Sequence, residues 1–312
     1  MMSPQIALHD PIFKTYLLLV PLTLAIAGIV LAILQYGLGK ELGSIWATYR
    51  SWLVMAALGL LFVFLGRAAV IAGVCLISIA GFRELARASG LNADRMLAGA
   101  VYLGIAAIGV ASLVSGRSAQ FTTFNTVALS VIPLILLVPV LQNRGRGELL
   151  KISLSIIGFV CLGWMFGHLC LLTNSGNAYG FICYIIFATE LNDVSAFTFG
   201  RLFGRRALRS EISPRKTVEG AIGALAVSML LPWGLRFSFP SFGATQLVLT
   251  GLIVGIGGLL GDLSMSMIKR EIGTKDMGTA IPGHGGVLDR IDSLIYVAPM
   301  FVYMCSYFES LR

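Results

Sequence analysis

Long apolar runs separated by short polar loops repeat along the whole chain. Apolar segments lie near residues 16–38, 52–66, 68–82, 98–115, 126–141, 152–173, 178–199, 218–236, 246–268 and 291–308. Most approach the roughly 20 residues that an α-helix needs to cross a bilayer. The second and third are short and separated only by Arg67, which leaves two readings: two spans in a tight hairpin, or one long bent helix. The pattern predicts an all-α fold, a polytopic integral membrane protein with nine to ten transmembrane helices. No polar stretch is long enough for a separate soluble domain. The chain is read as one membrane domain, with an N-terminal helical part (1–180) and a C-terminal part (181–312) that holds the candidate chemistry.

Composition agrees. Hydrophobic residues make up 57% and charged residues 12%, where soluble domains carry about a quarter charged residues. The opening "MMSPQIALHDPIFK" lacks the basic n-region and small-residue cleavage site of a signal peptide, so Tyr16–Leu38 is read as a retained first span. The five cysteines (Cys75, Cys161, Cys170, Cys183, Cys305) fall inside apolar runs without CxxC pairing and read as packing residues.

The 23 Lys and Arg exceed the 15 Asp and Glu by eight, and most of that excess is in particular loops. Loops near 83–95, 142–151, 201–216 and 269–290 are basic, whereas those near 116–125, 173–177 and 237–245 hold one arginine between them. The positive-inside rule places the first set in the cytoplasm. The C-terminus is then outside, and the N-terminus is outside with ten spans or inside with nine. Gly251, Gly255, Gly257, Gly258 and Gly261 cluster on one segment with no strand before it. They read as small residues that let membrane helices approach closely.

Ionisable residues within spans are costly and therefore candidates for function. Glu190 and Asp193 sit in 178–199, Asp262 sits in 246–268, and Asp289 and Asp292 open the last span. The topology brings all five to the cytoplasmic face. Asp262, Ser266 and Lys269, spaced by four and three, share one helix face. Carboxylates gathered at one face and matched by basic loops suit Mg²⁺ with a phosphate ligand. The three histidines are scattered, and His168 reads as a packed, hydrogen-bonded residue.

The loop "RLFGRRALRSEISPRKTVEG" (201–220) supplies positive charge. Its Ser213-Pro214 pair predicts an N-cap and first helical position, with Lys216 and Thr217 in the first turn and free amides as an anion seat. The GxxxxGK phosphate loop is absent. "IPGHGGVLDRID" (281–292) adds glycines that bring backbone amides close to an anion.

These residues resemble a known family. Ser266-x-Ile268-Lys269-Arg270, then, after four residues, Lys275-Asp276-x-Gly278-x-x-Ile281-Pro282-x-His284-Gly285-Gly286-Val287-x-Asp289-Arg290-Ile291-Asp292, is similar to the signature of phosphatidate cytidylyltransferases (CDP-diacylglycerol synthases). Ser213-Pro214-x-Lys216-Thr217-x-Glu219-Gly220 resembles a second motif of that family. Asp193-Val194-Ser195-Ala196-Phe197 with Gly200-Arg201-x-Phe203-Gly204 resembles a third, where members commonly have Asp-Thr-Gly-Ala-Tyr. The strong resemblance covers 187–295; before it there is mostly hydropathy, plus Glu84 after a span.

The resemblance implies a multi-pass inner-membrane enzyme, often a homodimer, that converts CTP and phosphatidate to CDP-diacylglycerol and pyrophosphate. It implies Mg²⁺ with K⁺ assisting, and it maps the metal-binding aspartates onto Asp262 and Asp289. Asp193 and Asp292 are further ligand candidates. Lys216, Lys269, Arg270, Lys275 and Arg290 are expected at phosphates, with Ser213, Thr217 and Ser266 as hydrogen-bonding partners. His284, Gly285 and Gly286 are expected to close over the nucleotide. The bilayer and the two substrates are the expected partners, and nucleic acid is not. Competing readings are a CTP-dependent lipid kinase of polyprenol or phytol type, a cytidylyltransferase acting on another lipid phosphate, and a cation-coupled transporter.

Overall fold

A computed structural model describes residues 2–39, 42–115, 120–281 and 285–310. After one turn at Pro4–Ala7 come α1 (Pro11–Gly37), α2 (Gly43–Leu65), α3 (Arg67–Ala88), α4 (Arg95–Val114), α5 (Gln120–Leu141), α6 (Leu149–Leu172) and α7 (Ala178–Phe203). A short hairpin follows, β1 (Ala207–Arg209) paired antiparallel with β2 (Ser213–Thr217), then α8 (Val218–Gly234), α9 (Ala244–Glu271) and α10 (Leu288–Ser310). Among the described residues, nine helices are long and apolar enough to cross a membrane, and α8 is a shorter apolar one. The protein is an all-α polytopic membrane protein carrying one small hairpin.

Gly66 separates the second and third apolar runs. Its φ of +93° breaks the helix, and a Cβ there would lie 2.7 Å from the Met2 carbonyl oxygen, so only glycine fits. The Arg67 guanidinium then donates to the Ser112 and Leu113 carbonyls at the end of α4. The two runs are therefore a hairpin of separate helices. Ser3 and Tyr179 exchange hydrogen bonds, and the Tyr16 hydroxyl lies 2.8 Å from Ser238 Oγ. The N-terminus thus lies at the end of the bundle where α7 begins and α8 has finished. A helix of 17 residues spans about 25 Å at 1.5 Å per residue, and α8 connects the two ends. Phe308 and Glu309 share a 370 Å³ cavity with Ser175 and Pro240, so α10 finishes at the same end as the N-terminus.

The helix expected to start at Ser213-Pro214 does not. Residues 213–217 are extended, and α8 begins at Val218 with Thr217 as N-cap, its Oγ1 accepting the Gly220 amide at 3.1 Å. Val218 N–H donates to the Arg206 carbonyl, and the Glu219 carboxylate accepts the Arg205 and Arg206 amides. These bonds close the hairpin onto the helix start, and Pro214, which has no N–H to give to a ladder, lies on an edge strand of this two-stranded sheet.

The clustered glycines on α9 lie at helix crossings, as expected. A Cβ at Gly251 would meet the α8 backbone at Ser228 and Met229, and one at Gly261 would lie 2.3 Å from the Asp292 carbonyl oxygen of α10. At Gly258 it would meet Asn192 of α7, whose Oδ1 accepts the buried Ser228 hydroxyl. Close backbone approach therefore draws α7, α8 and α10 around α9. Leu18, Leu22, Ile26 and Ile29 of α1 are exposed, as lipid-facing positions of a membrane helix are. Buried apolar residues from Met2 to Met304 form a single core.

Gly261→Ala is expected to force α9 from α10 and to cost about 2 kcal/mol, whereas Gly59→Ala, with nothing within 4 Å of the added methyl, costs nothing. Thermal unfolding of the two variants in detergent checks this.

Candidate functional site

Asp262 faces inward from α9, four residues before Ser266, whose hydroxyl donates to it at 3.3 Å. The Lys216 ammonium, carried on β2, pairs with its other oxygen. Lys216 is brought there by the tight contact of α7 with α8. Cβ atoms at Gly200 and Gly204 would press on the Thr217 side chain, and one at Gly220 would lie 2.6 Å from the Ala196 carbonyl oxygen. Both side chains of the pair are about a quarter exposed.

A second, deeper pair lies beside it. Lys269 Nζ donates to Asp289 Oδ1 at 2.9 Å and lies 4.0 Å from Asp292 Oδ2. All three side chains are nearly buried. Asp193 of α7 faces the same space, accepting the Ser293 hydroxyl at 3.1 Å, while the Ser293 amide donates to Asp292. Ser293 thus links Asp193 of α7 to Asp292 of α10, and Gly261, next to Asp262, packs against the Asp292 carbonyl. Glu190 lies one helical turn before Asp193 on α7. The Arg290 Nε is buried without a hydrogen-bond partner among the described residues. Four aspartates and two lysines from β2, α7, α9 and α10 thus form one charge cluster, with Glu190 and Arg290 at its side.

The remaining predicted residues lie around it. Arg270 is exposed, donating to the Ile212 carbonyl in the hairpin turn and to the Thr274 carbonyl, so it ties the hairpin to the end of α9. Lys275 is exposed and has no ion pair among the described residues. Ser213 opens β2 and Thr217 caps α8. His284 lies outside the described residues. Gly285 has φ +80°, and its carbonyl accepts the Ile281 amide. The Gly286 amide donates to Asp289 Oδ2 at 3.0 Å, and the Met277 amide donates to the same oxygen at 3.2 Å. The glycine-loop amide expected to face a free anion is thus committed to a carboxylate of the chain itself.

Sequence reasoning placed Glu84 only as a residue after a span. Its carboxylate accepts the Val287 amide at 2.9 Å and the Leu288 amide at 3.0 Å, at the start of α10. No motif marks such a contact, because the partners are main-chain amides 203 and 204 positions away. The only local signal is an acid between Phe82 and Leu85, which are both fully buried.

Among the described residues no three His, Cys, Asp or Glu side chains come together as a metal-ligand group. The donor chemistry is nonetheless that of a hard cation, and Mg²⁺ ordinarily takes one or two carboxylates plus substrate phosphates. Among the described residues Asp193 accepts only a hydroxyl, and Asp262 accepts one ammonium and one hydroxyl, which leaves both with lone pairs.

Comparison with known proteins gives a consistent family. The model of the Cytidylyltransferase family matches residues 46–308, so the chain belongs to that family, and the match reaches well upstream of the signature. The chain is 39% identical over 146 residues to a phosphatidate cytidylyltransferase of Staphylococcus haemolyticus, covering 46% of this chain and 54% of that one. It is 48% identical over 115 residues to a phosphatidate cytidylyltransferase of Synechocystis, covering 36% and 38%. It is 41% identical over 135 residues to the uncharacterized protein YnbB of Escherichia coli, covering 43% and 45%. These matches span about half or less of each relative's length.

Lys269→Met is expected to leave two buried carboxylates without their cation and to cost about 3 kcal/mol. Lys216→Met, at a more exposed pair, costs about 1 kcal/mol or less. Apparent melting temperatures of the two variants in one detergent check the order.

Proposed function

We propose that this member of the cytidylyltransferase family transfers the cytidylyl group of CTP to phosphatidate, releasing pyrophosphate and forming CDP-diacylglycerol. The observation that carries the reading is the joining of Asp193, Asp262, Asp289 and Asp292 with Lys216 and Lys269 at one end of the bundle. The names of the Staphylococcus and Synechocystis relatives support the choice of substrate.

The chemistry suits these residues. The phosphate of phosphatidate is an anion near neutral pH, so its oxygen attacks the α-phosphorus of CTP without a strong general base. The new P–O bond forms as the bond to pyrophosphate breaks. The difficulty is to bring two polyanions together and to hold the charge that develops on the leaving group, which positioned cations do by electrostatic stabilisation. Lys216 and Lys269 stand ready-oriented by their carboxylates, and Arg270 and Lys275, exposed at and just past the end of α9, add positive charge. Asp262 and Asp289, with Asp193 and Asp292 beside them, would hold Mg²⁺, with K⁺ assisting, and the cations would supply further positive charge at the phosphates. Ser213, Thr217, Ser266, Arg290 and the 284–286 segment complete the substrate-binding set. The acyl chains of the lipid remain in the bilayer while its headgroup meets CTP at the membrane surface. We place that surface on the cytoplasmic side of a bacterial inner membrane, from the basic loops at this end, and we assign the working unit as a homodimer.

Purified protein given labelled CTP and phosphatidate vesicles is expected to move label into the lipid phase with release of pyrophosphate; release of CDP instead would identify a kinase. Asp262→Asn is expected to lower turnover about a hundredfold, and near-wild-type turnover of Asp289→Asn at saturating Mg²⁺ would remove Asp289 from the metal site.

A further inference from the structure

We propose that Glu84 is a positioning residue of the catalytic site: from the N-terminal half it packs on Gly278 and Gly286 and holds the Val287 and Leu288 amides at the start of α10, and so sets where Asp289 stands. The proposal rests on the cytidylyltransferase reading for its kinetic consequence but not for its geometry. Glu84 lies one turn before the end of α3 and is buried, 9% exposed. No ion pair answers its charge among the described residues; the Val287 and Leu288 amides do. A carboxylate receiving the first amides of a helix satisfies donors that have no partner within the helix and meets the positive end of its dipole. The next amide back along the chain, Gly286, donates to Asp289 Oδ2, as does Met277. Two carboxylates therefore hold three successive amides, 286 to 288, and Asp289 cannot shift without the loop that Glu84 holds.

The fit extends to glycine positions of the signature. A Cβ at Gly278 would lie 2.6 Å from Glu84 Oε1 and 2.7 Å from Glu84 Cδ, and its three nearest atoms all belong to Glu84. A Cβ at Gly286 would lie 2.3 Å from Glu84 Oε2. The backbone at Gly278 is not in the left-handed region, so its lack of a side chain follows from the carboxylate packed against it.

Two measurements test the clamp. Glu84→Gln keeps the size but sets an NH₂ group against one of the two donor amides. Hydrogen exchange across 277–290 is expected to accelerate about tenfold or more. The KM for CTP is expected to rise and kcat to fall, with elution as a single folded species. Gly278→Ala is expected to be damaging in the wild-type background and nearly silent when combined with Glu84→Ala, in both thermal unfolding and turnover. Unchanged exchange in Glu84→Gln, or strictly additive costs in the Gly278 and Glu84 pair, would overturn the clamp. Should the wild-type protein make no lipid product from CTP, the proposed function fails alone, because exchange and unfolding still read the clamp.

Discussion

A carboxylate placed among membrane-spanning helices must be answered, by a cation, a main-chain amide or a hydroxyl, because little solvent is there to do it. Five acidic residues at one end of this bundle are arranged by that requirement. Asp262 is met by Lys216, Asp289 by Lys269 and two amides, Asp292 by Lys269 and the Ser293 amide, Asp193 by a hydroxyl, and Glu84 by two amides. Most of these answers reach across from another element, so the charges help determine which elements must meet. The hairpin is needed to deliver Lys216, and the glycines of α7, α8 and α9 are needed to let the helices close around it.

The same arrangement prepares the site for polyphosphate. Lysines already oriented by carboxylates need little reorganisation to face an incoming phosphate, which is how fixed charges contribute most to phosphoryl and nucleotidyl transfer. Among the described residues Asp193 accepts a hydroxyl, and Asp262 an ammonium and a hydroxyl. The deeper Lys269–Asp289 pair is nearly buried and joined to the Met277 and Gly286 amides. The cluster thus has a more exposed half, at Lys216 and Asp262, and a nearly buried half, at Lys269 and Asp289.

Much of this is legible in the sequence. The apolar runs marked the spans, the small-residue cluster on α9 marked a helix crossing, and the acids at 193, 262, 289 and 292 stood out because they interrupt apolar segments. The errors have local causes. Ser213-Pro214 carries a helix-start pattern, but pairing with 207–209 holds it extended and Thr217 takes the cap instead. The glycine-rich loop suggested amides open to an anion, yet the described ones at 286 to 288 are already taken by Glu84 and Asp289.

The sequence by itself determined the class of structure, an all-α bundle in a membrane, and the identity of its charged groups, because apolar length and misplaced charge are properties of a segment and its bilayer alone. Only the tertiary structure decided which charge answers which. It separated α2 from α3 at Gly66 through contact with Met2, and it paired Lys216 with Asp262 rather than leaving it for a helix turn. It also brought Glu84 to amides some two hundred residues away. The reason is that ion pairs and amide–carboxylate bonds depend on distances of about 3 Å between elements far apart in the chain, and no periodicity within either element records them.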